Sequence, residues 1–279
     1  MIVFLLALGI MFYPVISTAY NQRHQSKIHS RYQQIFEQTD DTEKQKLRDQ
    51  AIAYNRSIQP GAQCVDAFSA EALIGAAEEY GTLLNLAGNG IMGFVNVLSI
   101  GVHLPIYHGT EDATLEVGIG HLLGSSLPVG GESTHTILTA HSGMASSKMF
   151  TDLPQLKAGD VFYLEVLGEM LAYQVDQIKV VLPHDTTYLG IEPGGDYCTL
   201  VTCTPYAVNT HRLLVRGTRI PYEQAEKITE ETKPASQPKV STWEQEYYKG
   251  ILVGLGIVAA ISLVALAVWL CRRCRSRKS

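Results

Sequence analysis

The chain has 279 residues, 46% of them hydrophobic and 18% charged, enough to bury one full-sized core with length left over for appendages. Its formal net charge is −5, and because five cations crowd the C-terminal tail, the rest of the chain is more acidic still. That balance argues against a nucleic-acid partner, and no zinc spacing, P-loop, dinucleotide fingerprint or internal repeat points to a metal, a cofactor or a solenoid.

The first segment, residues 1–20, is apolar but short. It lacks a basic n-region and a convincing small-residue cleavage site, so it reads better as an uncleaved membrane anchor, or the remnant of a longer one, than as a cleaved signal peptide. From 21 to 87 the pattern is helical. Ile28, Tyr32, Ile35 and Phe36, then Leu47, Ile52 and Tyr54, recur at near-helical spacing in a charged background, which predicts one or two amphipathic helices before Ile58. A loop follows over "QPGAQCVDAFS", with Ser69 placed to cap a further helix from Ala70.

After Gly88 the chain changes to short strand-like runs broken by Gly and Pro: 91–98, 101–109, 134–142, 161–168, 170–183, 196–204 and 211–222. Such spacing predicts a mainly β domain over 88–222, a closed barrel or a sandwich. From Glu223 to about Ser241 the sequence is polar and contains Pro, and 223–250 reads as a linker. The run 251–270, "ILVGLGIVAAISLVALAVWL", matches the thickness of a bilayer's hydrocarbon core and predicts a transmembrane helix. Trp243, Tyr247 and Tyr248 precede it, and the basic tail 271–279 carries Arg272, Arg273, Arg275, Arg277 and Lys278. Positive charge stays inside, which puts the β domain outside the cell and the tail in the cytoplasm.

Of five cysteines, Cys271 and Cys274 fall at the inner end of that helix, leaving Cys64, Cys198 and Cys203 outside. An odd number there leaves at least one unpaired thiol. Cys203 sits at a strand end, sharing a face with Thr199 and Val201, and Pro205 stops the strand. Taken alone it reads as a small buried hydrophobe. Arg212 begins the returning antiparallel strand, where a guanidinium favours thiolate and can donate to an oxyanion; taken alone it reads as a surface ion-pair partner. His141 ends the run "THTILTAHS" ahead of a Ser142-Gly143 turn that can present a ring at a barrel rim, and a solvated or core histidine is its plainer reading.

In combination these residues resemble the sortases, cysteine transpeptidases of Gram-positive bacteria built on an eight-stranded β-barrel. "TLVTC" with the downstream Arg212 is similar to the Thr-Leu-X-Thr-Cys signature and arginine of that family, and "TAHS" to its histidine segment. The resemblance runs from about Ile91 to Tyr222. It implies that Cys203 is the nucleophile, His141 the acid/base and Arg212 the substrate-positioning, oxyanion-stabilising residue, with no cofactor. The C-terminal apolar run and the phrases around the three residues look most like class C, the pilin-polymerising class. Its partners are pilin subunits bearing an LPXTG-like sorting signal and an acceptor lysine.

Class C members carry an N-terminal lid with an Asp-Pro-aromatic motif. The matching place here is residues 64–69, "CVDAFS", which implies that Asp66 pairs with Arg212 and Phe68 lies against Cys203. Ala67 stands where the family usually has Pro, so the closed lid should be held less strongly. "DAF" as the mere approach to the next helix is the competing reading. The expected architecture is thus an eight-stranded sortase-type barrel with N-terminal helices, a lid and terminal transmembrane segments. A wall-anchoring sortase, a secreted cysteine hydrolase and a non-enzymatic adhesin are the alternatives.

Overall fold

The computed structural model describes residues 2–58, 66–68, 79–144, 147–232, 247–258 and 260. The chain divides into two compact units, one covering 12–238 and the other joining 1–11 with 239–279. The first holds every strand among the described residues.

Eight strands close into a barrel in the order β1-β2-β3-β4-β7-β8-β6-β5. They are β1 (Ile91–Val97), β2 (Val102–His108), β3 (Ile119–His121), β4 (Thr134–Thr139), β5 (Val161–Val166), β6 (Glu169–Val181), β7 (Asp196–Thr204) and β8 (His211–Ile220). Closure leaves β1 paired with both β2 and β5, so no full-length edge is exposed. Seven of these strands match runs read from the sequence. The eighth, β3, is three residues long and fully buried, too short for an alternating pattern to register.

Two features of the sequence explain the barrel's local form. The hairpin between β5 and β6 turns on Leu167 and Gly168, both left-handed (φ 46° and 75°), the geometry that matches strand twist in a two-residue turn. Gly168 also permits close approach of Phe36, whose ring would collide with any added Cβ. The barrel interior is filled by Val95, Leu104, Ile106, Leu138, Phe162, Leu164, Tyr173, Leu200 and Val215.

Helix α1 (Ile2–Gln38) is continuous through the boundary expected near residue 20, and α2 (Asp41–Ser57) starts at Asp40, whose side chain caps Thr42 N. Buried Leu47 and Ala51 of α2 join the main core, and Asn55 pairs twice with the backbone of Leu127, accepting from its N–H at 2.7 Å and donating to its carbonyl at 3.1 Å. Tyr32 and Ile28 of α1 pack on Ile91 and Phe94. The helical N-terminal region is therefore part of the globule.

A short α3 (Asp112–Leu115) precedes β3, and α4 (Tyr222–Thr232) follows β8 directly. The linker expected from Glu223 is thus helical in its first part. Ala225 and Ile228 bury against Val161, Tyr163 and Ala172, and the Tyr163 hydroxyl meets Thr229 Oγ1 at 2.7 Å. A stripe of small and apolar side chains, not the overall polarity, decided that segment.

Among the described residues no helix is long and apolar enough to cross a membrane. Most of 251–270, all of 271–279, Cys64 and the expected capped helix from Ser69 lie outside the described residues.

Candidate active site

The site forms where β4 and β7 end and β8 begins at one rim of the barrel. Strands β4 and β7 run parallel, with Ile137 opposite Thr199 and Thr139 opposite Val201, so two more residues bring His141 beside Cys203. Strands β7 and β8 are antiparallel and place Cys203 opposite Arg212. Period two then decides the face: Ile137, Val201 and Leu214 share one outer cluster with Leu122, Val181 and Leu189, and His141, Cys203 and Arg212 continue the same rows. All three residues named from the sequence come together on this face.

The lid residues close over it. Ala67, 2% exposed, packs into that outer cluster, and Phe68 lies against it. Arg212 donates twice to Asp66, Nε to Oδ1 at 2.8 Å and Nη2 to Oδ2 at 2.6 Å, while its Nη1 donates to Cys203 Sγ at 3.4 Å. The guanidinium also faces the Phe68 ring with Cζ 4.9 Å from the centroid, and the same ring sits 5.8 Å from the His141 imidazole. Asp66 further accepts from Phe68 N at 3.4 Å, which folds the two lid residues into one local turn. Asp66, Ala67 and Phe68 thus each touch the site face, whatever follows them in the chain.

Electrostatics follow from this packing. Burial pushes the Cys203 thiol above its ordinary pKa; Arg212 pulls it back, and the Asp66 carboxylate pushes it up again. Burial pulls the His141 imidazole down, against the opposing pull of Asp112 and Glu116 on and just after α3. With the lid closed the resting pair is therefore a thiol and a neutral imidazole. Arg212 is itself desolvated, but the hydrogen bond and charge of Asp66 outweigh burial and hold its guanidinium more firmly protonated.

Cys198, on the opposite face of β7, is fully buried and its thiol is raised well above the ordinary range by burial and then by Asp196. It packs in the main core. Asp112 and Glu116 were not singled out by the sequence, where an exposed acidic pair before a three-residue strand carries no signal. Gly143 turns the chain just after His141 with φ 76°, and Tyr206 of the β7–β8 connection stands 3.0 Å from where its Cβ would be.

Comparison with known proteins agrees with this geometry. The family model described as the Sortase domain matches residues 95–220. The crystal structure of sortase C from Streptococcus pneumoniae superposes with a TM-score of 0.65 at 42% identity, covering 70% of this chain and 97% of that one. The pilus-related sortase C of Group B Streptococcus gives a TM-score of 0.63 at 45% identity, covering 69% and 96%. Among curated relatives, sortase D of Bacillus subtilis is 26% identical over 131 residues, 46% of this chain and 63% of the relative, so the chain spans less than two thirds of that protein's length. A barrel rim carrying Cys, His and Arg under an Asp-X-aromatic clasp defines the class of protein, and the chain belongs to the sortase family. Within that family its structural likeness is to class C.

Proposed function

We propose that the chain is a cysteine transpeptidase that cleaves an LPXTG-like sorting signal between Thr and Gly and transfers the acyl group to a pilin lysine, so polymerising pili. The observation that carries this reading is the single guanidinium shared between Cys203 Sγ and the Asp66 carboxylate. It implies a nucleophile kept ready and capped until a substrate displaces the clasp.

The steps follow from the side chains. Release of Asp66 removes a negative charge from beside the thiol and frees two guanidinium donors. The Cys203 proton passes to His141, and the thiolate attacks the threonine carbonyl carbon. Arg212 donates to the oxyanion, the C–N bond breaks, and His141 returns its proton to the leaving glycine amine. The acyl group is then a thioester on Cys203. An incoming lysine amine attacks that carbonyl, His141 accepts its proton, the C–S bond breaks and an isopeptide bond forms.

Class C likeness supports a pilin as partner over peptidoglycan. For location, the apolar run 251–270 and the basic residues after it support a membrane anchor with the barrel outside and the tail in the cytoplasm. Protease treatment of intact cells should release the barrel and spare the tail.

The test is intact mass after incubation with an LPXTG-type peptide, comparing the unaltered chain, Phe68→Ala and Cys203→Ala. An adduct equal to the peptide cut after Thr should form, more in Phe68→Ala and none in Cys203→Ala. Adding a lysine-bearing peptide should discharge it to an isopeptide product; discharge to free acid alone would make the chain a hydrolase. No adduct in either Cys203-bearing form would overturn the reading.

A further inference from the structure

Regular pairing of β4 with β7 ends at Thr139 and Val201, two residues short of His141 and Cys203 on their respective strands. One backbone bond, Ala140 N to Val201 O at 3.1 Å, extends it slightly. Side-chain hydroxyls bridge the rest of the interval. Thr139 Oγ1 donates to Val201 O at 3.2 Å, Thr202 Oγ1 donates to Ala140 O at 2.7 Å, and Ser142 Oγ donates to Cys203 O at 2.7 Å. The donors alternate between strands, so each strand is pinned by the other. Both threonines are fully buried; Ser142 is the outermost and half-buried.

The Ser142 bond differs from the other two in where it lands. It joins the residue after the imidazole to the carbonyl of the residue that carries the thiol. From the opposite side the same turn is fixed by Phe150 N donating to His141 O at 3.0 Å and Gly143 N donating to Thr151 Oγ1 at 2.9 Å. With those bonds alone the turn is tied to the segment at 150–151 but not to β7.

We propose that Ser142 is a positioning residue, whose hydroxyl sets the separation and orientation of His141 relative to Cys203. Proton transfer between thiol and imidazole needs heavy atoms within about 3 Å, and an error of about 1 Å in such a site costs on the order of a hundredfold in rate. The inference rests on the proposed acyl transfer for its kinetic consequence, though not for the coupling itself.

The experiment is a mutant cycle in the full chain, carried in a Phe68→Ala background so that reagent reaches the site. The rate of iodoacetamide modification, mapped to the peptide containing Cys203, is followed across pH 5 to 10 with His141 present or replaced by Ala, and with Ser142 present, Ser142→Ala or Ser142→Thr. His141→Ala should change the pH profile strongly when Ser142 is present. In Ser142→Ala that effect should shrink by about threefold or more, and Ser142→Thr should restore it. An equal effect of His141→Ala with and without the hydroxyl overturns the proposal. In a second arm, acylation by an LPXTG-type peptide should lose about 10- to 100-fold in kcat in Ser142→Ala with KM held within about twofold. Coupling without acylation in any variant sinks the transpeptidase reading and leaves the positioning role standing. Acylation of Ser142→Ala at the unaltered kcat sinks the positioning role alone.

Discussion

Burial is the main cause of the raised thiol pKa at Cys203, and Asp66 adds to it. Asp66 is 12% exposed and holds both Nε and Nη2 of Arg212, itself 11% exposed, so this is a desolvated, two-point contact and not a surface pair. Its charge adds to burial in keeping the thiol protonated, and it occupies the donors that an oxyanion needs. Asp66→Asn should therefore lower the pH at which Cys203 becomes reactive and raise its alkylation rate at pH 7 by about tenfold or more, the scale of one lost charge-assisted hydrogen bond. The pH profile of alkylation checks this, and a midpoint that stays put would show that Asp66 has no hold on the thiol. Strand period, a stop at Pro205 and a short return connection placed Cys203 opposite Arg212, but each of Cys203, His141 and Arg212 alone had a plainer reading, and their roles were legible only through the family resemblance. Ser142 was legible only as part of a turn, since a hydroxyl's partner 61 residues away is set by strand order, which local pattern does not encode.

At the scale of elements, the lid and α4 show two different limits of reading. Ala67 is buried among Leu122, Ile137, Val201 and Leu214, so the lid is held by apolar packing as well as by the Asp66 contact. Ala does not restrict the open lid as Pro would. Ala67→Pro should slow alkylation of Cys203 by about two- to fivefold by lowering the entropy of the open state, and an acceleration would mean that the closed backbone cannot accept the ring. Helix α4 was missed because its acidic and basic residues and the prolines beyond it dominate composition. Yet Tyr222, Ala225, Ile228 and Thr229 fall at spacings of three, three and one, one face of a helix. Ala225 is completely buried, so Ala225→Asp should cost about 2–4 kcal/mol by placing a carboxylate without a partner there. Urea unfolding measures it, and a change below about 0.5 kcal/mol would mean that α4 is not docked on β5 and β6 in solution.

For the whole molecule, two buried histidines tie separate parts of the chain to the barrel. His121 on β3 accepts from the Tyr80 hydroxyl at Nδ1 (2.7 Å) and donates from Nε2 to Ser126 O (2.9 Å), so the turn at 80–82 hangs on it. His135 on β4 donates from Nδ1 to Gly190 O in the β6–β7 connection (2.8 Å) and accepts from Thr199 Oγ1 at Nε2 (2.7 Å). Both rings have every nitrogen committed in the neutral form. Burial pulls each down to about 4, with the backbone carbonyl of Ser126 or Gly190 opposing it only in part. The folded pKa thus lies below the unfolded value near 6.5, so the contribution is intact above pH 6.5, declines as the unfolded chain takes up protons, and is lost as pH falls through 4. At pH 5 the loss is about 2 kcal/mol for each ring. Urea unfolding of the full chain at pH 7.5, 6, 5 and 4 should show this decline. His135→Gln should be less stable at pH 7.5 but flatter with pH, since it removes one of the two titrations. A variant with the unaltered slope would move the acid sensitivity elsewhere in the barrel. The predicted decline also has an order in space: acid should loosen the 80–82 turn and the β6–β7 connection before the strands, because those are the parts that protonation of His121 and His135 releases. Hydrogen exchange at pH 5 should then show protection lost at Tyr80–Leu83 and around Gly190 while Leu138 and Leu200 in the barrel interior stay protected, and simultaneous loss at all four places would mean that the barrel opens as one unit.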